Sequence, residues 1–271
     1  MDKVTEISKE QKNEDKILIA NVLDKLKNTQ KRNSFENTHF LNMREQVLIE
    51  NVLKLRNFEN YEFFGGIEQA ERKILFIYSE KVMQYQSQKS KIHSTKIKVL
   101  NIDLPKEEYG KYTHKTYLGA IMKLGVKREM IGDIYVTSGG AQIIFESDVE
   151  KFLLSNISLL TRFRKAKIEI SDISTINYIE PEKEIRRIVV PSMRLDAIVS
   201  EIAKCSRNDA SKLLEQERIF VNFKEEITGS KKIQTGDILT IRGKGRFRVN
   251  KILNETKNKK LAIEIETYKY T

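Results

Sequence analysis

The chain has 271 residues, enough for two or three cores, and carries 49 Lys and Arg against 38 Asp and Glu, a formal net charge of +11. That excess favours a polyanionic partner, nucleic acid ahead of membrane, since no basic amphipathic helix with a rich apolar face stands out. One cysteine excludes an internal disulfide framework, and the absence of an apolar leader or membrane-length run makes a soluble cytoplasmic monomer the expectation.

Residues 1 to about 13 are polar and mixed in charge, the composition of a frayed start. Ile17, Leu18, Val22, Leu23 and Leu26 then recur at helical spacing. A second helical pattern covers 38–56, with Phe40, Val47, Leu48, Val52 and Leu55 as core positions. Residues 1–73 therefore read as an N-terminal helical region whose work is packing. Within it, Phe64-Gly65-Gly66 precedes Ala70-Glu71-Arg72. Two adjacent glycines in a glycine-poor chain imply a sharp turn or a close approach. A helix start after a loop and a phosphate-contacting loop helped by Arg72 fit that pattern equally.

From residue 74 the periodicity changes. Segments 74–79 and 96–104 read as strands, and Thr113 can cap a helix with Leu118, Ile121, Met122 and Leu124 inward, ending near Gly125. Gly132-Asp133 turns into a strand at 134–137, Ser138-Gly139-Gly140 makes a hairpin turn, and 141–145 returns. A helix at 148–156 and a strand at 165–170 complete the order β-α-β-β-α-β. The spacing predicts an α+β chain with a ferredoxin-like, RRM-like domain over 74–178. The aromatic signatures of RNA-recognition motifs are missing, so base stacking on the sheet is not implied. Residues 179–192, bracketed by Pro181 and Pro191, read as a linker.

Residues 193–271 hold the densest pattern. Leu195, Ile198, Val199 and Ile202 form one apolar helical stripe. Ser206 offers an N-cap oxygen, and Asp209 three residues on completes a capping-box pattern. The second helix buries Ala210, Leu213 and Leu214 and leaves Asn208, Ser211 and Lys212 outside. Strand-like segments follow at 219–222, 226–227 and 238–242, with a Gly236-Asp237 turn before the last. The run Arg242-Gly243-Lys244-Gly245-Arg246 comes next. Val249, Ile252, Leu261, Ile263 and Ile265 then extend the sheet through a hairpin turning at 254–260.

Two small helices and a short basic sheet in this order resemble the S-four domain, an RNA-binding module named after a ribosomal small-subunit protein. The residues that carry the likeness are Arg194-Leu195-Asp196, Ser206-Arg207, Ala210, Val221-Asn222, Gly236-Asp237 and the 242–246 run. The resemblance implies a face for structured RNA made of Arg194, Ser206, Arg207, Asn208, Lys212, Asn222 and Lys224, with Arg242, Lys244 and Arg246 beside it. The residue types suit that task. Arginine forks grip phosphate bidentately, short polar groups reach sugar hydroxyls, and glycines admit close backbone approach.

Most of the chain resembles the YlmH family of bacterial RNA-binding proteins. The carriers are Phe64-Gly65-Gly66, Ala70-Glu71-Arg72, His114, Tyr117-Leu118-Gly119-Ala120, Leu124-Gly125, Lys127-Arg128-Glu129, Ile131-Gly132-Asp133-Ile134 and the C-terminal module. Where that family shows His-Arg-Asp, this chain has His114-Lys115-Thr116, keeping positive charge but losing the fork and the carboxylate. The family likeness marks Gly65, Gly66, Arg72, His114, Lys115, Lys127 and Arg128 as secondary RNA contacts. It also implies a non-catalytic protein that holds ribosomal RNA and tRNA on the large ribosomal subunit, in quality control of stalled peptidyl-tRNA complexes. A cell-division adaptor or scaffold is a second reading, drawn from the family's naming, and an RNA-modifying enzyme or its accessory, which cofactor binding would favour, is a third.

Catalysis finds little support. His39, His93 and His114 lie far apart without carboxylate or cysteine partners at metal-ligand spacing, and Cys205 reads as a small buried filler. Residues 243–245 lack P-loop spacing. The catalytic domain of pseudouridine synthases, the glycine-rich cofactor loop of methyltransferases and the nucleotide signatures of tyrosyl-tRNA synthetases are all missing. No enzyme activity, cofactor or metal is expected.

Overall fold

The computed structural model describes residues 13–179, 183–255 and 259–268, and the chain divides into two compact units, Met1–Tyr178 and Ile179–Thr271. The expected frayed start, apart from Asn13, and Pro181 lie outside the described residues.

The first unit begins with α1 (Asn13–Arg32), β1 (Phe35–Leu41), α2 (Met43–Leu55), β2 (Tyr61–Phe64) and β3 (Lys73–Tyr78). This region is not purely helical. Its three strands form an antiparallel sheet in the order β1-β3-β2. The helix expected over 38–56 starts only at Met43, because Asn42 and Glu45 close a capping box there and the preceding residues pair with β3. Residues 74 to 78 of β3 are all buried because both faces of the strand are covered. Leu75 and Ile77 pack on Ile19 and Val22 of α1 and on Ile49, Val52 and Leu53 of α2. Ile74, Phe76 and Tyr78 face the other way, onto Ile97, Val99 and Ile144. A division at 73/74 would thus detach the central strand from its own sheet.

After α3 (Glu80–Met83) and α4 (Gln86–Lys96) come β4 (Ile97–Asp103), α5 (His114–Lys123), β5 (Ile131–Thr137), β6 (Gly140–Glu146), α6 (Glu150–Asn156) and β7 (Lys167–Ser171). The strands pair antiparallel in the order β5-β6-β4-β7, the ferredoxin-like arrangement. Tyr117 and Ile121 of α5 and Leu153 of α6 cover one face, against Leu100, Ile102, Ile143 and Phe145. The opposite face, through Val99 and Ile144, lies against the first sheet.

The second unit contains β8 (Lys183–Val190), α7 (Leu195–Ala203), α8 (Arg207–Glu215), β9 (Ile219–Val221), β10 (Lys224–Glu225), β11 (Ile238–Ile241), β12 (Gly245–Glu255) and β13 (Leu261–Tyr268). One sheet runs β10-β9-β11-β12-β13-β8. Most of the described part of the expected linker is strand, paired with β13 from Lys183↔Tyr268 to Val190↔Leu261. Its charged residues suggested solvent, yet Val190 sits in the core with Ile188 against it. Leu195, Ile198, Val199, Ala210 and Leu214 of the helices share that core with Val221, Leu239, Ile241, Phe247 and Val249 of the sheet. The short strand expected at 226–227 forms instead at β10. Asn222 and Phe223 both take left-handed φ values, 48° and 64°, and make a two-residue hairpin turn. Among the described residues no helix is long and apolar enough to cross a membrane.

Candidate nucleic-acid interface

The start of α7 is covered by its own chain. Leu195 N–H donates to Lys231 O at 2.9 Å and Asp196 N–H to Gly229 O at 3.0 Å, which seats the 229–231 loop over the first helical turn. The Asp196 side chain is left only 12% exposed, and its carboxylate is the hub of two arginines. Arg194 donates to it twice, Nε at 3.1 Å and Nη2 at 2.8 Å, and Arg207 Nη2 donates at 3.2 Å. The Arg194 hydrogen bonds, with Arg207 adding to them, hold the Asp196 carboxyl below its ordinary range. Both guanidiniums remain about half exposed, 44% and 51%, so their other N–H groups are open to a ligand. One carboxylate thereby fixes the spacing of two forks.

The other expected contacts divide into spent and open groups. Ser206 caps α8: its Oγ accepts Asp209 N–H at 3.1 Å and its hydroxyl donates to Asp209 Oδ2 at 2.7 Å. Lys212 reaches Asp209 Oδ1 at 3.4 Å from an exposed position. Asn222 locks its turn, donating from Nδ2 to Asp237 Oδ1 at 2.8 Å and accepting Ile238 N–H at 2.9 Å. Asn208, Lys224 and Lys244 are exposed. Arg242 stands 4.9 Å from the centroid of Phe220, and Arg246 5.3 Å from that of Phe223. These two aromatics were not singled out from the sequence. The signal was available, since Phe220 alternates with buried Ile219 and Val221 and so must face outward. Cys205 is half-buried between the helices, and burial pushes its thiol up.

In the first unit the glycine pair serves the chain itself. A Cβ on Gly65 would lie 2.3 Å from Arg72 O and 2.6 Å from Ala70 Cβ, while Gly66 has φ +101° with Ile176 3.0 Å from where a Cβ would stand. Arg72 is an internal staple, donating from Nε to Ile131 O at 2.9 Å and from Nη2 to Phe40 O at 2.7 Å. Asp133 accepts the N–H groups of Glu71 and Arg72 at 2.6 and 3.2 Å. Arg128 Nη1 donates to Ile131 O at 2.6 Å and Gly132 O at 3.3 Å, and burial brings its guanidinium down to about 10. His114, Lys115 and Lys127 stay at the surface. Protein around the His114 ring, then the charge of Arg128, lowers its imidazole.

The remaining histidines have partners that lie far away in sequence. His39 Nδ1 is 3.0 Å from both oxygens of the buried Glu146, whose hydrogen bond raises the imidazole above its ordinary value. His93 Nε2 and Tyr78 Oη share a hydrogen bond at 2.7 Å, with Phe64 stacked on the ring at 4.3 Å. Among the described residues no group of three or more His, Cys, Asp or Glu is placed to hold a metal.

Residues 96–177 match a family model described as "Putative RNA-binding domain in YlmH". A curated relative, "Ribosome-associated protein quality control protein P2" of Bacillus subtilis (strain 168), is 30% identical over 234 residues, spanning 86% of this chain and 87% of that protein. The chain belongs to the YlmH family. A solved structure, "Cell division protein ylmH from Streptococcus pneumoniae", aligns with a TM-score of 0.46 at 19% identity, covering 62% of this chain and 97% of that one. In this YlmH-family chain the matched stretch takes in the four-stranded sheet with α5 and α6, whereas the arginine–carboxylate cluster lies beyond it, in the second unit.

Proposed function

We propose that this YlmH-family protein binds ribosomal RNA and tRNA on the large ribosomal subunit, in the quality control of stalled peptidyl-tRNA complexes, through an S-four-type module at 193–271. The observation that carries the proposal is the clamp on Asp196: two half-exposed arginine forks held at fixed spacing by one nearly buried carboxylate. Forks fixed in this way suit the phosphates of a structured RNA, because little side-chain entropy remains to be lost on binding. Exposed Lys212, Lys224 and Lys244 add flexible positive charge around the forks, and Asn208 adds a polar group able to reach a sugar hydroxyl. The Bacillus subtilis relative, a ribosome-associated protein quality control protein, supports the ribosome-associated part of this reading. The work proposed is holding RNA in register; no bond is made or broken by the protein.

Gradient sedimentation with purified large ribosomal subunits, with and without peptidyl-tRNA, tests this. The full chain should travel with subunits at low salt and be released as salt rises, log affinity falling linearly with log salt. A chain that remains at the top of the gradient at low salt refutes the proposal.

A further inference from the structure

One face of the four-stranded sheet in the first unit is covered by Tyr117, Ile121 and Leu153. On the other, Phe40, Ile74 and Phe76 pack over Ile97, Val99 and Ile144, and the exposed remainder at Asp103, Thr137, Lys167 and Glu169 carries no aromatic ring. Stacking of unpaired bases on the sheet, the mode of RNA-recognition motifs, is therefore closed to the stretch that matches the family's RNA-binding domain. The outer side of α5 remains open. Lys115, Gly119 and Lys123 succeed one another at i, i+4 and i+8, opposite buried Tyr117, Ala120 and Ile121. All three are exposed, as are His114 at the first position of the helix and Lys127 four residues beyond its end. Arg128 lies close enough to His114 to depress its imidazole. Two carboxylates act nearby: Glu129 reaches Lys127 at 3.9 Å, and Glu71 acts on His114 at the helix start.

Gly119 is the unexpected residue of this row. Glycine inside a helix is disfavoured, and at Gly119 the backbone does not require it, since its φ lies outside the left-handed range. A Cβ there would meet nothing within 4 Å, so no neighbour in the chain needs the space. A glycine that neither backbone nor packing requires, set between two lysines on an open helix face, leaves room for something outside the chain. The lysines determine its sign. From Lys115 to Lys123 the helix rises about 12 Å, room for about three steps of a stacked nucleic-acid strand.

We propose that this face of α5 docks a second stretch of RNA backbone, a sugar–phosphate segment crossing at Gly119 with Lys115 and Lys123 on its two sides. The proposal rests on the chain being an RNA-binding protein and adds a contact on the unit that does not hold the Asp196 clamp.

The test uses the full chain and a fluorescently labelled large-subunit ribosomal RNA transcript, titrated at several salt concentrations. Gly119→Ala should raise the melting temperature by about 2–4 °C, as expected of a helical position with open space. Gly119→Trp should leave melting near the parent's yet weaken binding about tenfold, because the ring fills the gap left for the backbone. The double variant Lys115→Gln, Lys123→Gln should lower the slope of log affinity against log salt by about 1.5–2. The two lysines are exposed, so this variant decides the matter even if the tryptophan disturbs folding. Parent-like affinity and slope in the double variant overturn the inference. Parent-like RNA affinity with lost co-sedimentation on large subunits would place a protein on this face, which also overturns it. Arg207→Ala, measured in parallel, separates the two claims: a loss there with none in the α5 variants sinks only this inference, and no loss anywhere sinks the RNA assignment as well.

Discussion

Asp196→Asn takes a negative charge off a surface proposed to hold RNA. On charge alone binding should tighten, by less than about 1 kcal/mol at a solvated and screened site. The geometry argues for the opposite. Asp196 accepts three guanidinium N–H groups, two from Arg194 and one from Arg207. Asparagine keeps a single acceptor oxygen and turns an amide NH2 toward one of the forks. With Arg194 44% and Arg207 51% exposed, the stability lost is discounted to about 1–2 kcal/mol for the set. Binding should lose more than the charge effect returns: a misplaced bidentate grip costs about 1–3 kcal/mol, roughly 5- to 150-fold in affinity. Positioning therefore outweighs repulsion. Labelled ribosomal RNA titrated into the full chain at two salt concentrations, with thermal unfolding alongside, measures both terms. The carboxyl is held below its ordinary range, so its stabilising contribution is present above the unfolded value and is lost as pH falls through the folded one. Parent and variant should then differ in melting at neutral pH and converge in strong acid. An Asp196→Asn protein that binds as tightly as the parent, or more tightly, refutes the claim that this carboxylate positions the forks.

Arg207→Ala should weaken RNA binding by about 1–3 kcal/mol with melting close to the parent's, since the Ser206–Asp209 cap and the Arg194–Asp196 pair persist; parent-like binding would move the RNA elsewhere. Arg72→Met should destabilise the first unit by about 2–4 kcal/mol in urea titration, because the Phe40 carbonyl loses its guanidinium donor and Ile131 O is left with Arg128 alone, and a neutral result would deny the staple. His39 has a raised folded pKa, so its stabilisation is complete below the unfolded value near 6.5 and fades as pH climbs through the folded one. The melting advantage of the parent over His39→Asn should accordingly be larger at pH 6 than at pH 8.5, and the reverse trend would remove the Glu146 link from the account. A fragment of residues 179–271 should unfold cooperatively, while 191–271, which lacks β8, should not; equal behaviour of the two would mean β8 is dispensable.

Legibility in the sequence followed the range of the interactions. The helices α7 and α8 could be read from an apolar stripe and from Ser206 with Asp209, because both signals act within one or two turns. The β-α-β-β-α-β order was equally visible, each element carrying its own period. Pairing across distance was not. Phe40 fits a helical period, yet β1 is fixed by β3, and nothing local announces that partner. The charges of β8 mimic a solvated linker until β13 is known to lie beside it. His39 gained a carboxylate 107 residues away, which no spacing rule could propose. At the candidate interface the arginines were evident from residue type. Their organiser, Asp196, could be read as a helix residue but not as the hub, because that role depends on the 229–231 loop folding over the helix start.

Strand β13 lies between β12 and β8. In time these neighbours are unequal. β12 leaves the ribosome just before β13, whereas β8 leaves before both helices and every other strand of its sheet. Through that interval β8 has no partner on either side, and Val190 has no completed core to enter. The first unit closes on strands that precede β8 and does not wait for it. Assembly of the second unit is thus gated by a late, non-local pairing, the slow kind of contact to form. A nascent chain interrupted before β13 would carry Arg194, Asp196 and Arg207 with no finished sheet behind them. The order of synthesis thereby leaves an incomplete copy with its clamp residues on a core that still lacks Ile263 and Ile265.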